Sequence, residues 1–240
     1  MRSFIIHVSS STARRGNAEA LCNALPNGEL VEAVNGRDPQ QICSTELHPG
    51  TLFDPQYPFA LRPAEIGVFQ SHRKIWRMIV EQELEYAMIT EDDLQIDPQR
   101  FSKSLRIISA HATPDSYIRL PVKQRERPAQ VLANQDGQSL ILPKIIGLQC
   151  ICQVVGRRAA QRLLDCTNSI DRPVDTFLQM HWLTNQPVHA LLGTGNQEVA
   201  AQIGGSTIQT SIPARQKLKR ELKRTHYRSQ LAMHPQKPQP

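Results

Sequence analysis

The sequence lacks the features that define several common classes of protein. No apolar run approaches the roughly 20 residues that cross a bilayer, and the best candidate, 145–155, contains Gln149 and Gln153. The apolar stretch 4–8 is shorter than the core of about 7–15 residues in a secretory signal. Neither GxGxxG nor GxxxxGK[ST] occurs, which argues against a dinucleotide or P-loop site. We therefore expect a chain that is neither inserted in a membrane nor exported by a standard signal.

Cysteine is scarce and odd in number. The five cysteines, without a signal peptide, favour free thiols in a reducing cytosol over a disulfide framework. Cys150 and Cys152 could be half of a metal site, but no second pair has the spacing of zinc ligands. Because the two cysteines fall on one face of an alternating apolar strand, core packing is the favoured interpretation. The expected location is the cytoplasm.

Positive charge is concentrated near one end of the chain. The net charge is +6, and residues 215–228 hold seven of the 28 Lys and Arg with one of the 22 acids, so the remainder is neutral. We expect a domain over 1–213 and a basic tail over 214–240, helical at first and then disordered. The tail could be a solvated helix, could contact an anionic membrane surface, or could bind nucleic acid. Tyr227 is its single aromatic ring, which disfavours nucleic acid.

Apolar patterns and breakers along residues 1–213 alternate between strand and helix. Strands are predicted at 2–8, 29–34, 86–90, 117–120, within 121–143, at 148–155 and at 188–191. Helices are predicted at 12–25, 39–47, 63–83, 98–110, 157–166 and 174–183. The Pro-rich segment 48–62 reads as a long binding loop or lid. This alternation predicts an α/β fold with a mostly parallel central sheet.

The strongest local signal is a run of three acids, Glu91, Asp92 and Asp93, directly after the apolar strand 86–90. Ligands of open α/β sheets bind at the carboxyl ends of strands. Adjacent carboxylates repel one another unless a positive group lies between them. Oxygen ligands suit a hard cation such as Mg²⁺ or Mn²⁺, which could hold a diphosphate. A solvated turn that caps the next helix is the other interpretation.

Five short segments in order resemble glycosyltransferase family 25, the enzymes similar to lipooligosaccharide galactosyltransferases. Residues 5–15 are similar to the family's opening strand and Ser-Thr-x-Arg-Arg, and 33–36 to its Ala-x-Asp-Gly. Residues 65–72 resemble its Glu-Ile-Gly-Cys-x-x-Ser-His, 89–93 its Glu-Asp-Asp, and 173–175 its Pro-Val-Asp. The order and spacing fit from residue 4 to about 180, with the basic tail outside.

The resemblance implies a GT-A-type, Rossmann-like domain that binds a nucleotide sugar. It implies Mn²⁺ or Mg²⁺ as cofactor, and a UDP-sugar donor whose hexose, commonly galactose, is transferred with inversion. The acceptor would be a hydroxyl of a glycolipid or oligosaccharide, such as bacterial lipooligosaccharide. The expected location is then cytoplasmic, peripheral on the inner face of the membrane.

Matching positions imply roles for individual residues. Asp93 and Glu91 would hold the metal. Asp175 would be the catalytic base that takes the acceptor's proton, with Glu65 as a second catalytic carboxylate. The implied donor-binding residues are His7, Ser9, Arg14, Arg15, Ser71, His72 and Asp92. Ordinary alternatives are helix-start acids for Asp175 and Glu65 and a packed histidine for His72. Arg14 and Arg15 lie at the unfavourable end of a helix for cations, which a phosphate or an acidic partner would explain.

Departures from the family pattern suggest a second function. His7, Ser9 and Ser10 stand where the family has Asn, Asp and Arg, Val68 stands for Cys, and the later Gly-Thr-x-x-Tyr is absent from 149–153. A catalytically silent member that binds a glycan or a partner is therefore the alternative. A glycoside hydrolase would need two carboxylates that flank the bond, and no such pairing is evident in the sequence.

Overall fold

The computed structural model describes residues 1–204 and 214–238. Within these ranges the strands are β1 (Arg2–His7), β2 (Gly28–Glu32), β3 (Glu46–Leu47), β4 (Tyr86–Glu91), β5 (Leu94–Gln95), β6 (Tyr117–Arg119), β7 (Pro128–Gln135), β8 (Gln138–Pro143), β9 (Cys152–Gly156), β10 (Ser169–Ile170), β11 (His189–Leu192) and β12 (Gln197–Glu198). The helices are α1 (Thr12–Ala24), α2 (Pro39–Ile42), α3 (Pro63–Glu81), α4 (Pro98–His111), α5 (Arg157–Asp165), α6 (Val174–Leu178), α7 (His181–Thr184) and α8 (Ala214–Ala232).

Over the described residues, eight strands form one sheet in the order β2-β1-β4-β9-β6-β11-β8-β7. Six of them share a direction, whereas β8 and β9 run the opposite way. The prediction of a mixed α/β fold is confirmed. The reversed β9 lies between β4 and β6, and the reversed β8 lies between β11 and β7, so four of the seven neighbouring pairs are antiparallel. Most strands therefore share a direction, although most neighbouring pairs do not.

Helices cover both faces of this sheet. Alternation along β1 sends Phe4 to a core with Trp76 of α3, and Ile5 to a core with Leu21 of α1. Cys150 and Cys152 are free, buried thiols, which confirms their interpretation as packing residues. The prediction that they share one face of a strand is wrong: β9 begins only at Cys152, and the two thiols lie in different cores. The resulting three layers place the carboxyl ends of β1, β2 and β4 at one open edge.

Two predicted helices are shorter in the structure. The helix that begins at Pro39, with the Asp38 carboxylate accepting from the Gln40 amide, ends at Ile42 because Glu46–Leu47 pairs with Ser169–Ile170 as strands. The helix predicted over 174–183 is interrupted after Leu178, where fully buried Met180 packs with Tyr227 and Leu231. In both places a tertiary contact overrides the local pattern.

The basic tail includes helix α8, which packs on the body of the protein. Tyr227 and Leu231 are buried against Met180, and the Tyr227 ring contacts that of Tyr57 at 5.5 Å in the loop 48–62. A disordered end was expected, but Gln236 is buried and hydrogen-bonds to Val188 and Pro143. The boundary of the catalytic domain at residue 213 stays a prediction. No helix among the described residues is long and apolar enough to span a bilayer.

Candidate functional site

A cavity of about 310 Å³ opens at the carboxyl ends of β1, β2 and β4. Its walls are residues that follow β1, residues that follow β2 and the acids at the end of β4: Ser10, Ser11, Arg14, Val34, Asn35, Gly36, Arg37, Glu91, Asp92 and Asp93. We call it the strand-end cavity. Its position is the one at which α/β sheets bind their ligands.

A second cavity, of about 410 Å³, lies beside the first. Because β9 is reversed, the segment that enters it, 148–151, reaches the same edge of the sheet and lines this space with Glu65 and Asp175. We call it the Asp175 cavity. Val68, Glu91, Asp93 and Glu198 line both cavities. The two spaces therefore meet at a group of three carboxylates.

The side chain of Asp92 is buried and is held by His7 and Arg14. Its Oδ2 lies 2.8 Å from His7 Nδ1, and its Oδ1 accepts from Arg14 Nη1 at 2.7 Å. Asn17 holds the turn by donating to the carbonyls of Asp92 and Leu94. Arg14 was predicted to need a phosphate or an acidic partner, and the partner within the chain is acidic. His7 supports Asp92 from behind and does not line either cavity.

Asp93 is the acid of this group whose negative charge is compensated least by its surroundings. Its Oδ2 lies 3.2 Å from Arg14 Nη1, but its buried Oδ1 has no hydrogen-bond partner among the described residues. Burial first, and then repulsion by Glu91, raises the pKa of Asp93 from its usual 3.8 to about 7, against the opposing effect of Arg14. Asp93 lines both cavities. A carboxylate whose pKa lies near neutrality and whose second oxygen has no partner is suited to receive a cation.

Ser71 and His72 lie side by side on α3 but have different surroundings. Ser71 lines the strand-end cavity, where its hydroxyl donates to Gly67 O and accepts from Val34 N. His72 is fully buried, and Gln153 Nε2 lies 3.2 Å from its Nδ1. With the Gln153 amide as donor, His72 Nε2 carries the proton, 3.8 Å from Glu91 Oε1. This distance is longer than a hydrogen bond, and His72 Nε2 has no hydrogen-bond partner among the described residues. His72 therefore lies close to Glu91 without fixing its carboxylate.

Two glycines of the family-like segments allow the wall of the strand-end cavity to pack closely. A Cβ on Gly36 would lie 2.0 Å from Pro63 O, and a Cβ on Gly67 would lie 2.6 Å from Val34 O. The segment after β2 therefore contacts α3 backbone to backbone, which leaves no room for a side chain at either position. This contact sets the position of Val34 and Ser71 across the cavity.

Asp175 and Glu65 both line the Asp175 cavity. Asp175 Oδ2 accepts from Gln149 N at 3.1 Å and its Oδ1 from Thr176 N at 2.7 Å, so the carboxylate is held in one orientation. Glu65 closes the first turn of α3 by accepting from Arg62 N at 2.7 Å. Burial raises the pKa of Glu65, and Asp175 adds to the effect. The predicted pair of catalytic carboxylates is thus brought into one space.

Four predicted donor-binding residues line neither cavity: His7, Ser9, Arg15 and His72. The first and last of these are buried behind the acids, whereas the other two lie on the surface. Ser9 is exposed, and its amide donates to the Glu32 carboxylate. Arg15 is exposed and pairs with Glu19 on the same helix at 2.9 Å. Sequence reasoning missed Glu198, which lines both cavities from a Gly/Gln/Thr-rich stretch, and also Arg224 and Arg228 of α8, which line the Asp175 cavity. None of these three carries a local signal.

The carboxylates suit a hard cation whose coordination is completed by a bound ligand. Among the residues that the structure describes, no three His, Cys, Asp or Glu side chains group closely enough to hold a metal ion. Asp93 nevertheless offers an unpartnered oxygen, and Glu91 and Glu198 line the same junction. Mg²⁺ is commonly bound through one or two carboxylates together with substrate phosphates. The residues present therefore suit a cation that arrives with a diphosphate.

Fold and site together define an α/β protein with a two-part acidic cleft at the carboxyl edge of its sheet. A family model described as "Glycosyltransferase family 25 (LPS biosynthesis protein)" matches residues 1–178. The chain belongs to glycosyltransferase family 25.

Curated relatives share this part of the chain. A "Glycosyltransferase 25 family member" of Drosophila melanogaster is 29% identical over 198 residues, covering 75% of this chain and 30% of the relative. "Procollagen galactosyltransferase 2" of Homo sapiens is 29% identical over 165 residues, covering 62% and 25%. A Bos taurus relative, 26% identical over 63% of this chain and 26% of its own length, is named "Probable inactive glycosyltransferase 25 family member 3". The chain thus spans less than a third of the relatives that it matches.

Proposed function

We propose that this protein is an inverting, metal-dependent glycosyltransferase of the GT-A type that moves a hexose from a UDP-sugar to a hydroxyl of a glycan. The observation that supports this most directly is the junction of two cavities at Glu91, Asp93 and Glu198. A transferase needs adjoining sites for donor and acceptor with the leaving diphosphate between them. The junction of carboxylates is where that diphosphate and its cation would meet.

In this proposal the strand-end cavity takes the donor. Asp93 Oδ1 and Glu91 would hold Mn²⁺ or Mg²⁺, which when bound neutralises the charge that develops on the departing diphosphate. Asp92, fixed by His7 and Arg14, keeps Arg14 close to Asp93. Arg14 thus offers a cation beside the phosphates, and Ser71 with the segment after β2 forms the opposite wall.

The Asp175 cavity takes the acceptor. Asp175 would accept the proton of the attacking hydroxyl, and two backbone amides hold its carboxylate for that task. Glu65 lies in the same space and is the second candidate for the base. Inversion follows if this hydroxyl attacks from the Asp175 cavity while the diphosphate leaves toward the strand-end cavity.

The sugar and the acceptor are proposed from the family. Its model carries the description "LPS biosynthesis protein", and the human relative is named a procollagen galactosyltransferase. We therefore propose galactose as the transferred hexose and a bacterial surface glycan such as lipooligosaccharide as the acceptor, handled in the cytoplasm at the inner membrane face.

UDP together with Mn²⁺ is expected to stabilise the protein against heat. At a hundredfold excess over Kd the gain is about 2.7 kcal/mol, which corresponds to a rise in Tm of about 5–10 °C for a chain of this size. Scanning fluorimetry measures the shift. Uridine with Mn²⁺ is the matched control, because it lacks the diphosphate and should give little change. Equal shifts with uridine and UDP would contradict a diphosphate site at the carboxylates.

A catalytically silent glycan-binding protein is the alternative. It is favoured by the departures at His7, Ser9, Ser10 and Val68 and by the name of the bovine relative. Hydrolysis of UDP-galactose in the presence of Mn²⁺, measured as released UDP, separates the two functions. A protein that binds UDP and Mn²⁺ but releases no UDP, with or without saccharide acceptors, would favour the silent one.

The exposed bases of α8 are proposed to contact an anionic membrane. Lys219 and Lys223 are exposed and line neither cavity of the cleft, whereas Arg224 and Arg228 line the Asp175 cavity. Because each base near an anionic surface contributes about 1 kcal/mol, the double variant Lys219→Gln/Lys223→Gln should bind vesicles about 30-fold more weakly at low salt. Co-sedimentation with phosphatidylserine vesicles measures this. The control, Arg106→Gln/Arg157→Gln, removes the same charge elsewhere; an equal loss there would contradict a tail-specific contact.

A further inference from the structure

A separate cavity of about 270 Å³ lies on the other side of the segment after β2. Its charged lining residues are Arg73, Lys74 and Arg77 of α3, and no carboxylate is among the residues that line it. The remaining polar side chains are amides and hydroxyls: Gln41, Ser44, Thr45, Gln70 and Asn168. We call it the α3 basic cavity. It shares Val34 with the strand-end cavity and no other lining residue.

Arg73 is a buried cation without a matching anion. Its relative exposure is 8%, its Nε has no hydrogen-bond partner, and its one side-chain hydrogen bond is a long one of 3.5 Å to Asn168 Oδ1. No ion pair joins it to a carboxylate of the described residues. A buried charge normally has a partner because desolvation is costly. Arg73 therefore lacks, within the described chain, the anion that its burial requires.

The neighbouring charges add to this imbalance. Arg77 lies one helical turn from Arg73, an arrangement in which like charges repel. Burial and then Arg77 lower the pKa of Arg73. Lys74 donates to the carbonyl of Glu32 at 2.9 Å, a neutral acceptor that leaves its charge unpaired. Three cations thus converge on one small space whose other polar groups include several hydrogen-bond donors.

We propose that the α3 basic cavity binds a phosphate monoester, with Arg73 as the inner contact and Lys74 and Arg77 at the opening. A phosphate dianion matches this lining in charge, and the planar guanidinium of Arg73 can donate two parallel hydrogen bonds to its oxygens. Ser44, Thr45 and the amides supply further donors. The site differs in sign from the acidic cleft, which needs a cation before it can hold a phosphate. The ligand is either a phosphorylated small molecule or the headgroup of a phospholipid.

The test uses the full chain and compares Tm with and without inorganic phosphate at constant ionic strength. Phosphate should raise the Tm of the wild type. Arg73→Met, which keeps the length of the side chain but removes the unpaired charge, should have a higher Tm than the wild type without phosphate and should not respond to it. Arg77→Met, at an exposed position, should bind phosphate at least tenfold more weakly by calorimetry. Arg106→Met on α4 is the control and should respond like the wild type.

Two further comparisons identify the source of the phosphate and check that the acidic cleft is intact in the variant. Binding of glycerol 3-phosphate and binding to phosphatidic acid vesicles are compared in the wild type and Arg73→Met. If only the binding of glycerol 3-phosphate depends on Arg73, the ligand is a small molecule. If binding to the vesicles depends on Arg73, the ligand is a lipid headgroup. UDP with Mn²⁺ should bind Arg73→Met normally, so failure of the acidic cleft would be seen separately. A full phosphate response in both Arg73→Met and Arg77→Met, or none in the wild type, would overturn the proposal.

Discussion

Asp93→Asn is expected to lower the rate of Mn²⁺-dependent release of UDP from UDP-galactose by about 10³-fold. The reason is that coordination of the leaving group by a metal stabilises the transition state by several kcal/mol. The amide is a weaker ligand for a hard cation and removes the negative charge at the junction of the two cavities. Initial rates at saturating UDP-galactose and Mn²⁺ measure the loss. Asp136→Asn, in the exposed turn between β7 and β8, is the matched control and should keep the wild-type rate.

The same substitution should make the folded protein more stable near neutral pH when EDTA removes metal. An acid whose pKa is raised on folding binds its proton more tightly in the folded state, so stability falls as pH rises through the interval between the two pKa values. For Asp93 that interval runs from 3.8 to about 7. The Tm of the wild type should therefore decline across it more steeply than that of Asp93→Asn, which should be the more stable above pH 7. Normal turnover in Asp93→Asn would place the metal elsewhere.

Much of the fold follows from local patterns because the elements near the site have strong ones. The strands β1 and β4 are short apolar runs that end in polar residues, and α3 begins with Pro63 and carries an apolar stripe. What local patterns do not contain is which strands are neighbours. Cys152–Gly156 is buried throughout, so its sequence carries no sign of its reversed direction between β4 and β6. Yet that reversal delivers residues 148–151 to the acidic edge.

The site is predictable to the extent that its residues follow a strand or match a family segment. Glu91, Asp92 and Asp93 meet both conditions. The position of Arg14 at a helix start indicates a phosphate or an acidic partner, and the structure shows the acidic one. Arg15 has the same signal but is satisfied by Glu19 one turn away, because adjacent helical residues point in different directions. Glu198, Arg224 and Arg228 reach the cleft through tertiary packing alone, and no local pattern distinguishes them from solvated charges.

Asp175→Asn is expected to lower the rate of transfer by about 10²–10⁴-fold while UDP and Mn²⁺ still bind, because the loss falls on the proton transfer and not on the donor site. Asparagine retains an oxygen that can accept from Thr176 N, so the turn at α6 should survive; the Tm checks this. Glu65→Gln is the informative comparison, since Glu65 lines the same cavity. A large loss there with a normal rate in Asp175→Asn would assign the base to Glu65.

A nucleophile without a proton tests the base more directly than the rate alone. Azide needs no base, so it should form galactosyl azide in Asp175→Asn at a rate close to that of the wild type, although transfer to a hydroxyl is lost. Mass spectrometry detects the product. If azide fails equally, Asp175 acts on the donor or on the shape of the cavity. Two backbone amides fix the orientation of this carboxylate. Recovery with azide would show that Asp175 transfers the proton, and would exclude a role confined to positioning the acceptor.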